Sequence, residues 1–362
     1  MRPGDPAARG DRGAASTSPV PPLPTPRFDH LIHLTDAVGV WEHAAFTTPR
    51  VAHGFCTDDN ARALIVVSRA ADTLAQLDDL AATYLRFVLD ARVPGGTFRN
   101  RRDKTGTWLD DVGSDDSNGR AWWALGVVAS YGREPWMRKE GIEAFDDCAA
   151  FESVHLRANA FAALGAAELL ATQPRHTEAR RLLRRCAELL ATAAGNRIPW
   201  FEARLTYDNA RLPEALLAAG DALGDARLTR IGLRRLTWLM EVETSGDHFS
   251  FVPHGGRDAT ESVPGFDQQP VEAAAMAEAC WRAWTITGDD VWRSRGLRAA
   301  QWFVGHNDGQ VVLYDAATGG THDGLMRDGA NQNQGAESTL AGLAAMQVAA
   351  AFGTDEPAEV HP

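Results

Sequence analysis

The sequence predicts an all-α fold, an (α/α)6 barrel in which six helical hairpins close into a toroid, and three observations carry that prediction. Ala/Leu-rich segments with apolar positions at helical spacing dominate the chain, while β-branched alternation is scarce. Six of these segments open on a polar cluster and then turn small and apolar on nearly every face. Between most of them lie helices of another kind, charged on one side and apolar on the other.

The six apolar segments are TDDNARALIVVSRAA from 57, SDDSNGRAWWALGVVASY from 114, FESVHLRANAFAALGAAELL from 151, TYDNARLPEALLAAGDAL from 206, FDQQPVEAAAMAEACWRAW from 266 and NQGAESTLAGLAAMQVAAA from 333. The amphipathic helices are DDLAATYLRFVLDAR (78–92), RHTEARRLLRRCAELLATAA (175–194), DARLTRIGLRRLTWLMEVE (225–243) and DDVWRSRGLRAAQWFVG (289–305). A helix apolar all round is buried and an amphipathic one keeps a wet side, so the order reads as inner and outer helices in alternation. Two stretches fit less well: 132–150 is short for an outer helix, and the first outer helix has to come from 28–44. An open solenoid gives no reason for polar clusters to recur at one end of every buried helix, and a closed ring does.

Composition limits what such a chain does. Its 362 residues are 44% hydrophobic and 23% charged, enough for a sizeable core. A net charge of −12 opposes nucleic-acid binding, and the one basic run, RRLLRR at 180–185, reads as the solvated face of a helix. No stretch reaches the roughly 18 apolar residues of a membrane span, and the N-terminus lacks a signal-peptide core, so a cytoplasmic protein is expected. Cys56, Cys148, Cys186 and Cys280 show no CxxC spacing, which predicts packed, reduced thiols rather than disulfides or zinc. Residues 1–27 are dense in Pro, Gly, Ala and Ser and cannot offset their ordering entropy. They are expected to form a disordered leader, with the barrel at 28–353 and a disordered tail at 354–362.

The polar clusters carry the functional argument. Ser, Thr, Asp and Asn cap helix starts, and acids there suit the helix dipole, which accounts for Thr57, Ser114 or Asn209 taken singly. Capping needs one residue. These starts supply several, and add Arg62, Arg120, Arg157 and Arg211, which gain nothing from the dipole. Parallel inner helices bring the clusters to one mouth, lined by Asp58, Asp59, Asp115, Asp116, Asp208, Asp267 and Glu337. Amides and aromatics accompany the acids: Asn60, Asn118, Asn209, Gln268, Gln269, Gln334, Trp200 and Tyr207, with Glu202, His53 and His155 close by. Carboxylates and amides match sugar hydroxyls and aromatic rings match the C–H face, so an oligosaccharide is the expected ligand. There is no phosphate loop, dinucleotide fingerprint or nucleophile elbow, and no cofactor is expected. No metal is expected either, because EF-hand and HExxH spacings are absent and arginines interleave with the acids.

Glycosidic cleavage needs a carboxylic acid of raised pKa to protonate the leaving oxygen and a second carboxylate to activate water or attack. Asp-Asn-Ala-Arg occurs at 59–62 and again at 208–211, on inner helices one and four, which face each other in a six-fold ring. Asp59 and Asp208 are therefore the expected pair, at the inverting separation of about 6.5–9.5 Å, with Asp116, Asp267 and Glu337 in reserve.

The runs LTDAVGVWEHA (34–44), HGFCTDDNARAL (53–64), DDSNGRAWWALG (115–126), YDNARLPEALLAAG (207–220) and QNQGAESTLAGL (332–343) together resemble bacterial α/α-toroid proteins described as glycosidase-related or glycosyltransferase-associated. The resemblance spans nearly everything after residue 27. It implies carbohydrate chemistry on an (α/α)6 scaffold, with a glycosyltransferase or phosphorylase acting in the same pathway, although the leader precedes the toroid directly and no transferase domain is expected on this chain. It also implies that Trp41, Glu42 and His43 fold over the mouth and select the sugar. Three functions stay open: an inverting glycoside hydrolase, phosphorolysis included, on a manno- or gluco-configured oligosaccharide; a sugar epimerase of the N-acylglucosamine 2-epimerase type, for which histidine acid/base residues at the inner helices are wanting; and a non-catalytic carbohydrate-binding module.

Overall fold

The computed structural model describes residues 22–71, 75–195, 199–258, 260–261 and 263–353. The first 21 residues of the expected leader, and the expected tail, lie outside the described residues. Residues 22–27 precede the first helix, and Leu23 packs against the core.

Among the described residues twelve helices follow one another: α1 (Asp29–His33), α2 (Thr57–Ser68), α3 (Ala75–Asp90), α4 (Asp115–Tyr131), α5 (Pro135–Phe145), α6 (Leu156–Thr172), α7 (Thr177–Ala194), α8 (Arg211–Leu223), α9 (Ala226–Glu243), α10 (Pro270–Thr287), α11 (Asp290–Gln301) and α12 (Ala336–Phe352). The even-numbered helices form the inner ring: each packs on the next, and α12 returns to α2. The odd-numbered helices lie outside, α3 on α2, α5 on α4, α7 on α6, α9 on α8, α11 on α10, and the single turn α1 on α12. The two weak stretches thus become the short helix α5 and α1, which completes the last pair of the ring. Five two-stranded antiparallel ribbons decorate the loops, among them Ala44–Ala45 with Thr48–Pro49, in register Ala44 to Pro49, and Phe55–Cys56 with Arg101–Arg102. All four cysteines are free and buried. No helix among the described residues is long and apolar enough to cross a membrane.

Small residues set the spacing of the inner ring. A Cβ on Gly126 of α4 would stand 2.0 Å from the carbonyl oxygen of Gly165 on α6, and one on Gly165 would stand 2.3 Å from the carbonyl oxygen of Trp122. The two backbones touch, which only glycine permits.

The interior between the inner helices is not wholly apolar, as the sequence pattern implied. Six buried charges form a closed alternating ring. Arg69, just past α2, meets Glu168 of α6 at 3.0 Å, and Glu168 meets Arg282 of α10 at 2.8 Å. Arg282 faces Glu214 of α8 at 3.4 Å, and Glu214 bonds Arg211 at 2.7 Å. Arg211 then bonds Glu278 of α10, which closes on Arg69 at 2.9 Å. Ions removed from water are tolerable only when partners replace the lost hydration, and here each carboxylate sits between two guanidinium groups.

Two stability predictions follow from this packing. Gly126→Ala should lower the urea midpoint: overpacking costs about 1–3 kcal/mol and the gain in helix propensity returns at most about 1. A midpoint equal to or above wild type would contradict the close contact. Glu278→Leu should cost about 3–5 kcal/mol, because it takes one of two carboxylates from each of Arg69 and Arg211 and leaves three arginines to two glutamates in the ring; a loss below about 1 kcal/mol would mean that the ring is energetically slack.

Candidate active site

The strand Phe55–Cys56 delivers the chain to α2 in extended conformation, and Cys56 caps the helix, its sulfur accepting the Asp59 N–H at 3.4 Å. The expected cap, Thr57, instead donates its hydroxyl to the Arg99 carbonyl at 2.7 Å. Asp58 and Asp59 thereby occupy the first turn at the barrel mouth. They line a polar cavity of about 390 Å³, together with Arg62, His43, Gln269 and Glu337 among the sequence-predicted residues. Glu42, Cys56, Asn100, Arg101, Asp323 and Ser338 complete most of its wall. The strap carrying Glu42 and His43 does fold over the mouth. Asn100 and Asp323 sit in loops and Cys56 and Arg101 in two-residue strands, whose spacing carries no period, so only their place in the fold reveals them.

A smaller cavity beneath the mouth shares Arg62 and Glu337 with it and is lined further by Arg120, Trp123, Asp208, Arg211 and Glu278. Ion pairs join the two levels. Arg62 holds Asp58 at 2.9 Å, Asp59 at 2.8 Å and Glu337 at 2.7 Å. Arg120 spans from Asp58 at 2.9 Å to Asp208 at 2.6 Å, and Asp208 approaches Arg211 of the interior ring at 3.6 Å.

Acids outnumber bases at the mouth, and their environments drive neighbours apart. Burial would raise Asp58, but Arg120 and Arg62 outweigh it and hold that carboxyl below its ordinary range. Asp59 is only 3% exposed. Burial pushes its carboxyl up to about 7, against the pull of Arg62 and with the repulsion of Asp58, Glu337 and Glu42 added. The Cys56 thiol donates to Asp59 at 3.2 Å. Glu42, Cys56 and Asp59 each offer a ligand atom within 4.8 Å of the others, yet Arg101 binds Glu42 and Arg62 binds Asp59, so a cation would have to displace both guanidinium groups.

Several expected site residues serve other ends. Asp208 and Arg211 lie below the mouth cavity, so Asp59 and Asp208 do not face each other across one pocket but connect through Asp58 and Arg120. Asp208 adopts φ +48°, a left-handed conformation that Asp tolerates better than most residues. Glu272, which the sequence did not single out, fixes that turn by accepting the Asp208 and Asn209 N–H groups and the Asn209 amide. Burial, reinforced by Asp208, raises the Glu272 carboxyl to about 7. The asparagines are staples. Asn60 accepts the Val40 N–H at 3.1 Å and donates to the Cys56 carbonyl, Asn118 donates to the Ser114 carbonyl, and Asn209 accepts from Thr206.

Trp200 is buried against Trp238 and Phe201, and Trp41 stacks on Phe55 at 3.9 Å, so both are packing residues. Gln268 is fully buried between Asp308 and Trp302, and Gln334 is buried beside Gly320. Asp267 is exposed, and its carbonyl accepts from His254. Asp115 lines a separate surface cavity with Glu152 and Arg185, near the exposed His155. Asp116 binds the Tyr207 hydroxyl, and Arg157 binds Glu202 at 2.7 Å. His53 sits outside the cavity wall, its Nδ1 3.2 Å from that of His43.

No protein-family profile and no curated protein sequence matches the chain. Solved structures do. A sugar epimerase from a ruminal bacterium is 14% identical, with 91% of this chain covering 96% of that one at a TM-score of 0.67. A cellobiose 2-epimerase from Spirochaeta thermophila is 12% identical, with coverages of 90% and 93% and a TM-score of 0.63. The GH76 α-mannanase of Bacteroides thetaiotaomicron is 9% identical, with coverages of 89% and 92% and a TM-score of 0.64. At such identities the likeness establishes the (α/α)6 toroid fold.

The raised Asp59 carboxyl makes a stability prediction. Folded, Asp59 keeps its proton to about pH 7; unfolded, it releases it near pH 4, as an unperturbed Asp does at about 3.9. The folded state binds the extra proton between those values, so this contribution weakens as pH rises through the window. Urea unfolding of wild type and Asp59→Asn at pH 4.5, 6 and 7.5 should show the stability difference moving steadily in favour of the variant. A difference independent of pH would contradict the assignment.

Proposed function

We propose that this chain is a carbohydrate-active enzyme, an inverting glycoside hydrolase on a manno- or gluco-configured oligosaccharide, with Asp59 as general acid and Glu337 as general base. One observation carries the reading: a single 390 Å³ polar cavity holds a carboxyl that keeps its proton to about pH 7 beside Asp58, whose carboxyl Arg120 and Arg62 hold below its ordinary range, and Glu337, paired with Arg62 at 2.7 Å. Environments that drive neighbouring acids apart are how one site supplies both an acid and a base. The solved neighbours support the substrate class, since a sugar epimerase, a D-mannose isomerase, a cellobiose 2-epimerase and an α-mannanase are among them.

In this mechanism Asp59 gives its proton to the glycosidic oxygen as the bond from that oxygen to the anomeric carbon breaks. Glu337, steadied by Arg62 at 2.7 Å, takes a proton from a water whose oxygen bonds the anomeric carbon from the opposite face. The products are an alcohol and a sugar of inverted anomeric configuration. Asp58 and Asp208 pair with Arg120 at 2.9 and 2.6 Å, and Gln269 and Ser338 supply neutral hydrogen-bonding groups on the cavity wall.

A second reading, C2 epimerisation, is favoured by the His43–His53 pair at the rim, since imidazole is suited to moving a proton from carbon near neutral pH.

Incubation with α- and β-linked gluco- and manno-oligosaccharides in deuterated buffer, followed by NMR, separates these readings. Hydrolysis predicts a released sugar whose first anomer is inverted, an activity falling as pH rises through about 7, and about a 10²–10⁴-fold loss in both Asp59→Asn and Glu337→Gln. Deuterium appearing at C2 without cleavage would replace hydrolysis with epimerisation. Sugar binding with neither product would leave a binding module.

A further inference from the structure

A side-chain bridge spans the α4–α6–α8 side of the barrel mouth. Tyr207, on the loop ahead of α8, donates its hydroxyl to the Asp116 carboxylate on α4. Between α8 and α4 in the ring stands α6, so the tyrosine side chain bridges across the start of that helix. There the Arg157 guanidinium lies 4.6 Å from the centre of the Tyr207 ring and is fixed by Glu202 at 2.7 Å, by the Asn209 amide oxygen at 3.2 Å and by the Tyr207 carbonyl. None of these residues lines the 390 Å³ cavity, whose walls come from α2, α12, the 42–43 and 100–101 segments and Gln269. The pocket is confined to one side of the mouth. Tyr207 is nevertheless 41% exposed, so it is a boundary of the mouth and not core.

We infer that Tyr207, tied down by Asp116 and backed by Arg157, stands beyond the cavity as the wall that ends the substrate site, so that the pocket takes the terminus of a glycan chain and not its middle. The inference rests on the carbohydrate reading and deepens it. A cleft crossing the whole mouth would let a chain run through, whereas a site closed on the α4–α6–α8 side admits only an end. The pocket's size agrees: 390 Å³ is near the bottom of the range of about 300–1,000 Å³ for small-molecule sites. Asp116 therefore acts by positioning Tyr207 and not as a reserve acid, and Arg157, which binds the ring from behind and carries its charge to Glu202, keeps that wall from being pushed inward.

Titration calorimetry with two ladders, cellobiose to cellohexaose and α-1,6-mannobiose to mannohexaose, tests this on the full chain carrying Asp59→Asn to prevent turnover. Affinity should stop rising after about two or three units. Adding Tyr207→Ala should let it climb further, by about threefold or more for each added unit, on whichever ladder binds. Asp116→Ala, which frees the tyrosine but keeps its ring, should lengthen the plateau in the same direction, and it decides the matter if circular dichroism shows that Tyr207→Ala does not fold. Affinity that keeps rising to six units in the parent, or an unchanged plateau in the folded variants, overturns the wall. If neither ladder binds any of the proteins, the carbohydrate reading itself fails, and the wall falls with it.

Discussion

Three arginines and three glutamates in the barrel interior set the terms for everything above them. Arg69, Glu168, Arg282, Glu214, Arg211 and Glu278 tie α2, α6, α8 and α10 into one electrostatic unit. A ring of helices packed only through alanine and glycine could slide by a turn without losing much contact area. Paired buried charges cannot, because any shift leaves an ion without its counterpart in a medium that does not solvate it. The network fixes the axial register of the inner helices, and with it the depth at which each N-terminus meets the mouth.

That register makes the charge balance of the mouth a consequence of the interior. Glu214 and Glu278 already occupy Arg211, so Asp208 has to share Arg120 with Asp58. Arg62 is then left to serve Asp58, Asp59 and Glu337 together. Asp59 is the most buried of the three and has Arg62 alone, and burial outweighs that guanidinium, so its carboxyl keeps its proton to about pH 7. The proposed general acid is thus produced by burial, which the one guanidinium beside it does not offset.

The fold was largely legible because it depends on periodicity. Helix α7 lies at 177–194 against an expected 175–194 and α9 at 226–243 against 225–243, since an amphipathic face repeats every turn whatever the tertiary context. The polar clusters were harder to read. Of the six, only those at 57 and 114 run directly into helix; those of α6, α8, α10 and α12 begin three to five residues ahead of it, in loops whose course no period records. Asp59, Arg62 and Glu337 were found by type and position, whereas Glu42 joins the cavity through tertiary bonds, Asn60 holding the strap at Val40 and the Glu42 backbone bonding Gly54 and Ala336. Glu168, Glu214 and Glu278 were missed for a different reason. A few charges scattered along alanine-rich helices look like noise in any one segment and acquire meaning only when the fold brings them together.

The repeated Asp-Asn-Ala-Arg shows how one local motif serves two ends. In both copies the asparagine pins the incoming loop and the arginine, two residues on, enters the buried charge network. The aspartate is what diverges. At 59 it stands within the first turn of a helix that starts at the motif and faces the mouth; at 208 it precedes α8, takes a left-handed conformation held by Glu272 and turns down toward Arg120. The same turn carries Tyr207 outward to Asp116. A small difference in where the helix begins therefore decides that one side of the mouth exposes a protonated acid while the opposite side is sealed by a phenol, and a six-fold scaffold acquires an off-centre site.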